Sequence, residues 1–152
     1  MSRETPFVTG EFYHVFNRGS AKLPTFLTEQ DFRQAQLAMF YYQHINPPVK
    51  LSRYKSLSSK DKQILVESLS RTQKLVSILS YVFIPNHFHF ILKQTADEGV
   101  SKFVGQFSNS YTRYFNTRTS RPGILFQGPF KAVHIETENQ LLHLSRYLHL
   151  NP

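Results

Sequence analysis

No cysteine occurs in the 152 residues, which excludes disulfides and thiolate metal sites and points to an intracellular setting. No apolar run approaches the roughly 18–20 residues of a membrane span. The opening Met1-Ser-Arg-Glu-Thr-Pro has no signal-peptide core. Acidic residues are also scarce. Ten Asp and Glu stand against eighteen Lys and Arg, a net charge of +8 and a pI near 9.8, so a polyanionic partner is expected, nucleic acid first. A solvated basic surface is the plainer alternative. What the chain has in quantity is aromatics: 14 Phe and 8 Tyr in a sequence 40% hydrophobic, enough for a folded core in a single domain. Several rings alternate with cations (Arg53-Tyr54-Lys55, Tyr111-Thr-Arg113-Tyr114), a pattern that suits single-stranded nucleic acid and equally suits a core helix with a basic outer face.

The order of elements reads strand, helix, spacer, two strands, helix, strand, helix. Phe12-Tyr-His-Val-Phe16 alternates as a strand and stops at Asn17-Arg-Gly19. Thr28 caps a predicted helix over 29–44, ended by Asn46-Pro-Pro48. Residues 47–71, rich in Ser, Lys and Arg, read as an exposed basic insertion with a short helix over 60–69. Strands are predicted over 74–84 and 87–93, joined at Pro85-Asn86 as an antiparallel hairpin. Val100, Phe103, Val104, Phe107, Tyr111, Tyr114 and Phe115 keep helical spacing over 99–118, and core packing is the better reading of both tyrosines. A strand over 130–135 follows. Thr137 and Gln140 then form a capping box for a last helix, which buries Leu141, Leu144 and Leu148 and carries Gln140, His143, Tyr147 and Asn151 as a polar stripe.

The run from Tyr81 to Lys93 contains His87-Phe-His89 inside an otherwise apolar strand. Alternation puts the two imidazoles on one face, roughly 6.5–7 Å apart along the chain, with Phe88, Phe90 and Leu92 on the other. Such a pair can hold a divalent metal or flank a phosphate, or be two satisfied or surface histidines. Tyr147, by periodicity alone, is a half-exposed aromatic. His14 and His134 read as structural or surface residues, and His143 is a weak candidate for orienting Tyr147.

Five segments in order carry a resemblance: Tyr13-His-Val-Phe-Asn-Arg-Gly19, Tyr81-Val-Phe-Ile-Pro-Asn-His-Phe-His-Phe-Ile-Leu92, Ser110-Tyr-Thr-Arg-Tyr-Phe-Asn116, Gly123-Ile-Leu-Phe-Gln-Gly128 and Arg146-Tyr-Leu-His-Leu-Asn-Pro152. With these the chain resembles the single-tyrosine transposases of the HUH nuclease superfamily, most closely the REP-associated tyrosine transposases of the IS200-like group. Only the spacer 47–71 is unmatched. The resemblance implies a ferredoxin-like α+β fold whose antiparallel sheet carries the two histidines on a central strand and whose C-terminal helix carries the nucleophile. It implies His87 and His89 as metal ligands, Asn151 as the third, amide-bearing ligand, and Tyr147 as the nucleophile. Mg²⁺ or Mn²⁺ would be the cofactor. A bacterial, cytoplasmic enzyme that nicks and rejoins single-stranded or hairpin DNA through a 5′-phosphotyrosine is expected, with a homodimer in some subgroups. Relatives usually continue past the final Asn-Pro, so a truncated C-terminus is one expectation.

The chemistry fits these residue types. A free tyrosine has a pKa near 10 and needs help to act as a nucleophile. Two imidazoles and an amide bind a cation without adding negative charge beside a DNA backbone. Charge and turn placement suggest Arg18, Arg113, Arg118, Arg121 and Lys131 as DNA contacts. Two other classes remain open. One is a non-catalytic nucleic-acid-binding module on a ferredoxin-like sheet, with Tyr81, Phe83 and other strand aromatics as stacking platforms. The other, a small-substrate hydrolase, is disfavoured by the few acids near either histidine.

Overall fold

Alternation of side chains starts the fold at β1, Phe12–Arg18, where Tyr13, Val15 and Asn17 are buried and the residues between them face the other way. The computed structural model describes residues 6–150. β1 runs two residues beyond the expected Phe16, because Asn17 and Arg18 stay in register with Phe88 and His87. The chain turns only at Gly19, where a Cβ would come within 2.1 Å of the Leu23 carbonyl oxygen, so a side chain there is excluded.

Thr28 caps α1, Glu29–Tyr42, and Asp31 completes a reciprocal capping box. The helix stops two residues short of the expected end, as Gln43 and His44 leave it to meet Leu75 and Lys74. The basic segment forms two helices, α2 (Leu51–Lys55) and α3 (Ser59–Ser70). Most of its residues are exposed, yet Leu51 and Leu69 are anchored in the core. Then come β2 (Val76–Ile84) and β3 (His87–Gln94), joined across Pro85-Asn86, followed by α4 (Gly99–Thr119), β4 (Lys131–Ile135) and α5 (Glu138–Leu150). The strands form one antiparallel sheet in the order β2-β3-β1-β4. Two interleaved β-α-β units with this order make the ferredoxin-like arrangement.

The two faces of the sheet differ. One packs on α1 and α4, where Phe88, Phe90 and Phe107 lie 5.1–5.4 Å apart, ring to ring. Phe103, Tyr111 and Phe26 close the cluster without exposure. Each buried ring contributes about 1.5–3 kcal/mol. The opposite face is only part covered. Leu141, Leu144 and Leu148 of α5 sit over Ile91, Ile135, Phe12 and Val82. Beyond that apolar half, the same face carries His14, Phe16, Arg18, His87 and His89, because β1 and β3 are paired Phe16 to His89 and Arg18 to His87.

Candidate active site

β3 is an interior strand, so the backbone beneath His87 and His89 is held on both sides. The two imidazoles stand 5.0 Å apart, nearly perpendicular. α5 reaches them through its amphipathic spacing: the leucines lie on the sheet and Tyr147 falls on the flank towards the histidines. His87, His89, Tyr147, Arg18 and Lys131 line one cavity of about 530 Å³. Five of the residues singled out in the sequence, drawn from β1, β3, β4 and α5, thus share one space. Lys22, Asn86 and Gln127 complete the polar wall, and Gln127 accepts a hydrogen bond of 2.8 Å from Arg18 Nε. Among the described residues no carboxylate lines it, so its electrostatics favour an anion.

Neighbouring groups hold the two rings and bear on which nitrogen each could offer a metal. Asn86 Oδ1 lies 2.7 Å from His87 Nδ1. An amide oxygen only accepts, so His87 carries its proton on Nδ1 and keeps the Nε2 lone pair free. His14 Nε2 lies 2.9 Å from His89 Nδ1. Ligation through His89 Nε2 requires His89 to donate from Nδ1 and His14 to accept, the ring-holding contact usual behind metal-bound histidines. Phe16 stacks on His89 at 5.7 Å and restricts its rotation. Burial lowers all three histidine pKa values, and His89, beside His14 and His87 as well, is pushed down to about 4. All three are therefore neutral at pH 7, the form that binds metal. Two neutral imidazoles 5.0 Å apart could supply two of the donors a divalent ion needs. Among the described residues no group of three His, Cys, Asp or Glu could hold one, so a third donor of another kind is needed. Asn151, the expected third ligand, lies outside the described residues.

His14, by its sequence a structural or surface residue, makes a contact with His89 that sequence reasoning did not foresee. In the observed β1 it shares a face with Phe16 and Arg18, and the pairing of β1 with β3 sets that face beside His89. The remaining candidates are elsewhere. Arg118 donates to both oxygens of fully buried Asp31 at 2.8 and 2.7 Å. Arg121 donates to Asn116 and to the Ile124 carbonyl, holding its own loop. Arg113 lines a different cleft on the helix-covered side of the sheet. His143 is exposed and does not line the cavity. His134 pairs with Glu11 and Glu136 at the surface. Of the two stacking rings named, Phe83 is buried against Phe107 and Phe26, which leaves only Tyr81 exposed.

No curated protein matches this sequence. Among solved structures, a REP-associated tyrosine transposase bound to a REP hairpin superposes with a TM-score of 0.66 at 15% identity, over 100% of this chain and 73% of the other. A protein of Deinococcus radiodurans R1, provisionally assigned as a transposase, gives 0.52 at 10% identity over 99% and 97%. These likenesses concern the fold. The family described as "Transposase IS200 like" matches residues 40–151, and the chain belongs to that family.

Proposed function

We infer that this transposase is a metal-dependent single-strand DNA transesterase that cuts and rejoins DNA at hairpin-associated sites, with Tyr147 as nucleophile. The observation that carries the reading is the cationic cavity shared by His87, His89 and Tyr147. A divalent cation, Mg²⁺ or Mn²⁺, bound by His87 and His89 with Asn151 as third donor, would supply charge neutralisation at the scissile phosphate. Arg18 and Lys131 would fix the backbone on either side of it and offset the charge that builds on the equatorial oxygens. Tyr147 Oη attacks phosphorus, its proton passing to water in the open cavity. The P–O3′ bond breaks and the 3′ oxygen takes up a proton, leaving a 5′-phosphotyrosine and a free 3′-OH. Attack by a 3′-OH on that ester reverses the step and frees the tyrosine, so bond energy is kept for strand joining. The hairpin preference is drawn from the REP hairpin held by the structurally similar transposase.

An oligonucleotide hairpin with 3′ and 5′ single-stranded flanks is expected to form an SDS-resistant adduct in Mn²⁺, and Tyr147→Phe is expected to form none. As much adduct with the phenylalanine variant as with the parent removes the nucleophile assignment. A purely binding module on this fold would need strand aromatics open to bases, and the burial of Phe83 weighs against it.

A further inference from the structure

The molecule has a second concave cationic surface, on the side of the sheet away from the histidines. A cleft of about 640 Å³ lies between α1, α2 and α4 and is lined by Lys50, Lys55, Arg113 and Arg118, with no carboxylate among its lining residues. Arg118 is already neutralised by Asp31 behind the wall. Among the described residues none of the other three cations pairs with a carboxylate. Lys55 is held in place by Gln34 at 2.6 Å and lies over the Tyr114 ring. Three cations without a carboxylate partner facing one hollow concentrate a positive field there.

The wall is also anchored to the core. α2 belongs to the basic segment that carries none of the recognisable motifs, yet Leu51 is 2% exposed. Its amide donates to the Tyr42 hydroxyl, and the Tyr41 hydroxyl donates to the Val49 carbonyl. Lys50 and Lys55 thus flank a pinned helix and not a loose loop. Exposed amides of Gln30, Gln106 and Asn109 add donors and acceptors on the same surface. Cations with amide donors on one surface match a phosphodiester backbone, and the Tyr42 and Tyr114 rings in the same lining suit a single strand.

We propose that the cleft between α1, α2 and α4 is a second nucleic-acid site, which grips the phosphates of a single-stranded segment outside the catalytic cavity. The proposal rests on the reading of the protein as a single-strand DNA enzyme, and its test is separable from that reading. The intact chain is titrated with a labelled single-stranded oligonucleotide of about 20 nucleotides at several salt concentrations, following anisotropy. Lys50→Glu with Arg113→Glu is expected to weaken binding at least about tenfold and to flatten the log–log salt slope by about 1.4, the value for two lost single-strand phosphate contacts. Lys60→Glu with Arg71→Glu makes the same change of net charge outside the cleft and is expected to do much less. Lys50→Gln with Arg113→Gln, a milder change at exposed positions, is expected to flatten the slope equally. The adduct formed by Tyr147 on a short hairpin with minimal flanks is expected to be unchanged, since neither residue lines the catalytic cavity. Equal losses for cleft and control pairs, or no loss for the cleft pair, overturn the site. Saturation of the cleft by dAMP as tightly as by the oligonucleotide overturns the strand assignment in favour of a free nucleotide. Loss of the short-hairpin adduct in the parent itself would instead count against the catalytic reading.

Discussion

His89 sits between two other imidazoles and a phenyl ring, and each contact has a separate consequence. Burial keeps it neutral, Phe16 restricts its rotation, and His14, by accepting from Nδ1, would leave Nε2 free. His14→Ala is expected to lower Mn²⁺ affinity by about 10–100-fold, the usual loss when a histidine ligand's outer partner is removed. Isothermal titration with the metal alone measures this without reference to turnover. His14→Gln, which keeps an acceptor, is expected to recover part of it. Equal affinities for parent and His14→Ala would take His14 out of the site. Asp31 makes the corresponding case for stability. Its burial alone would raise its pKa, but hydrogen bonds from Tyr114, Arg118 and the Leu27 and Thr28 amides outweigh that and hold it below the ordinary value. A lowered folded-state pKa gives stability that is complete above about pH 4, the unfolded value, and is lost as pH falls through the folded value. Thermal melts between about pH 6 and pH 2 are therefore expected to show a steeper acid loss for the parent than for Asp31→Asn. At neutral pH Asp31→Asn is expected to cost about 2–3 kcal/mol, less than for a wholly buried pair because Arg118 keeps some contact with water.

At the scale of elements, the decisive one is α5. It carries the candidate nucleophile but is the least anchored helix of the site, since Leu148 alone among its residues is buried. Thr137 and Gln140 secure its start: the Thr137 hydroxyl accepts from the Gln140 amide at 3.1 Å, and Gln140 Oε1 accepts from the Thr137 and Glu136 amides. Leu148→Ala is expected to cost about 2 kcal/mol, at the low end for a buried leucine because Leu141 and Leu144 beside it are half-exposed. Hydrogen exchange is expected to speed up along α5 and not along α4, with adduct yield falling in parallel. Uniform speeding along both helices would mean that α5 is not an independent unit. Much of this layer was legible in the sequence. The two-residue alternation of β3, the apolar stripe of α4, the Thr28 cap and the Thr137–Gln140 capping box depend on neighbours within one turn. The end of α1 and the extra residues of β1 were not, because Lys74, Leu75 and the β3 register decide them from far along the chain.

Across the whole molecule the sheet separates two tasks. The face towards α1 and α4 holds the aromatic core, and the face towards α5 exposes the polar site. The fold is therefore expected not to depend on the proposed ion. Removing divalent metal with EDTA is expected to abolish the adduct while the thermal midpoint shifts by no more than a few degrees, as mass action gives only a small bonus for a weakly held cation. A large fall of the midpoint on chelation would show instead that metal binding is coupled to folding. Among the described residues no helix is long and apolar enough to cross a membrane.

The charge surplus, the paired imidazoles on one side of a strand, and the spacing that lays leucines under Tyr147 are properties of short stretches of chain, and the sequence alone determined them. The choice among cations was decided in three dimensions: Arg18 and Lys131 enter the cavity, while Arg118 turns to Asp31, 87 residues away in sequence. So was the contact of His14 with His89, 75 residues apart. Periodicity says which way a side chain points from its own element. What it meets there depends on strand register and on packing between distant segments, which no local pattern encodes.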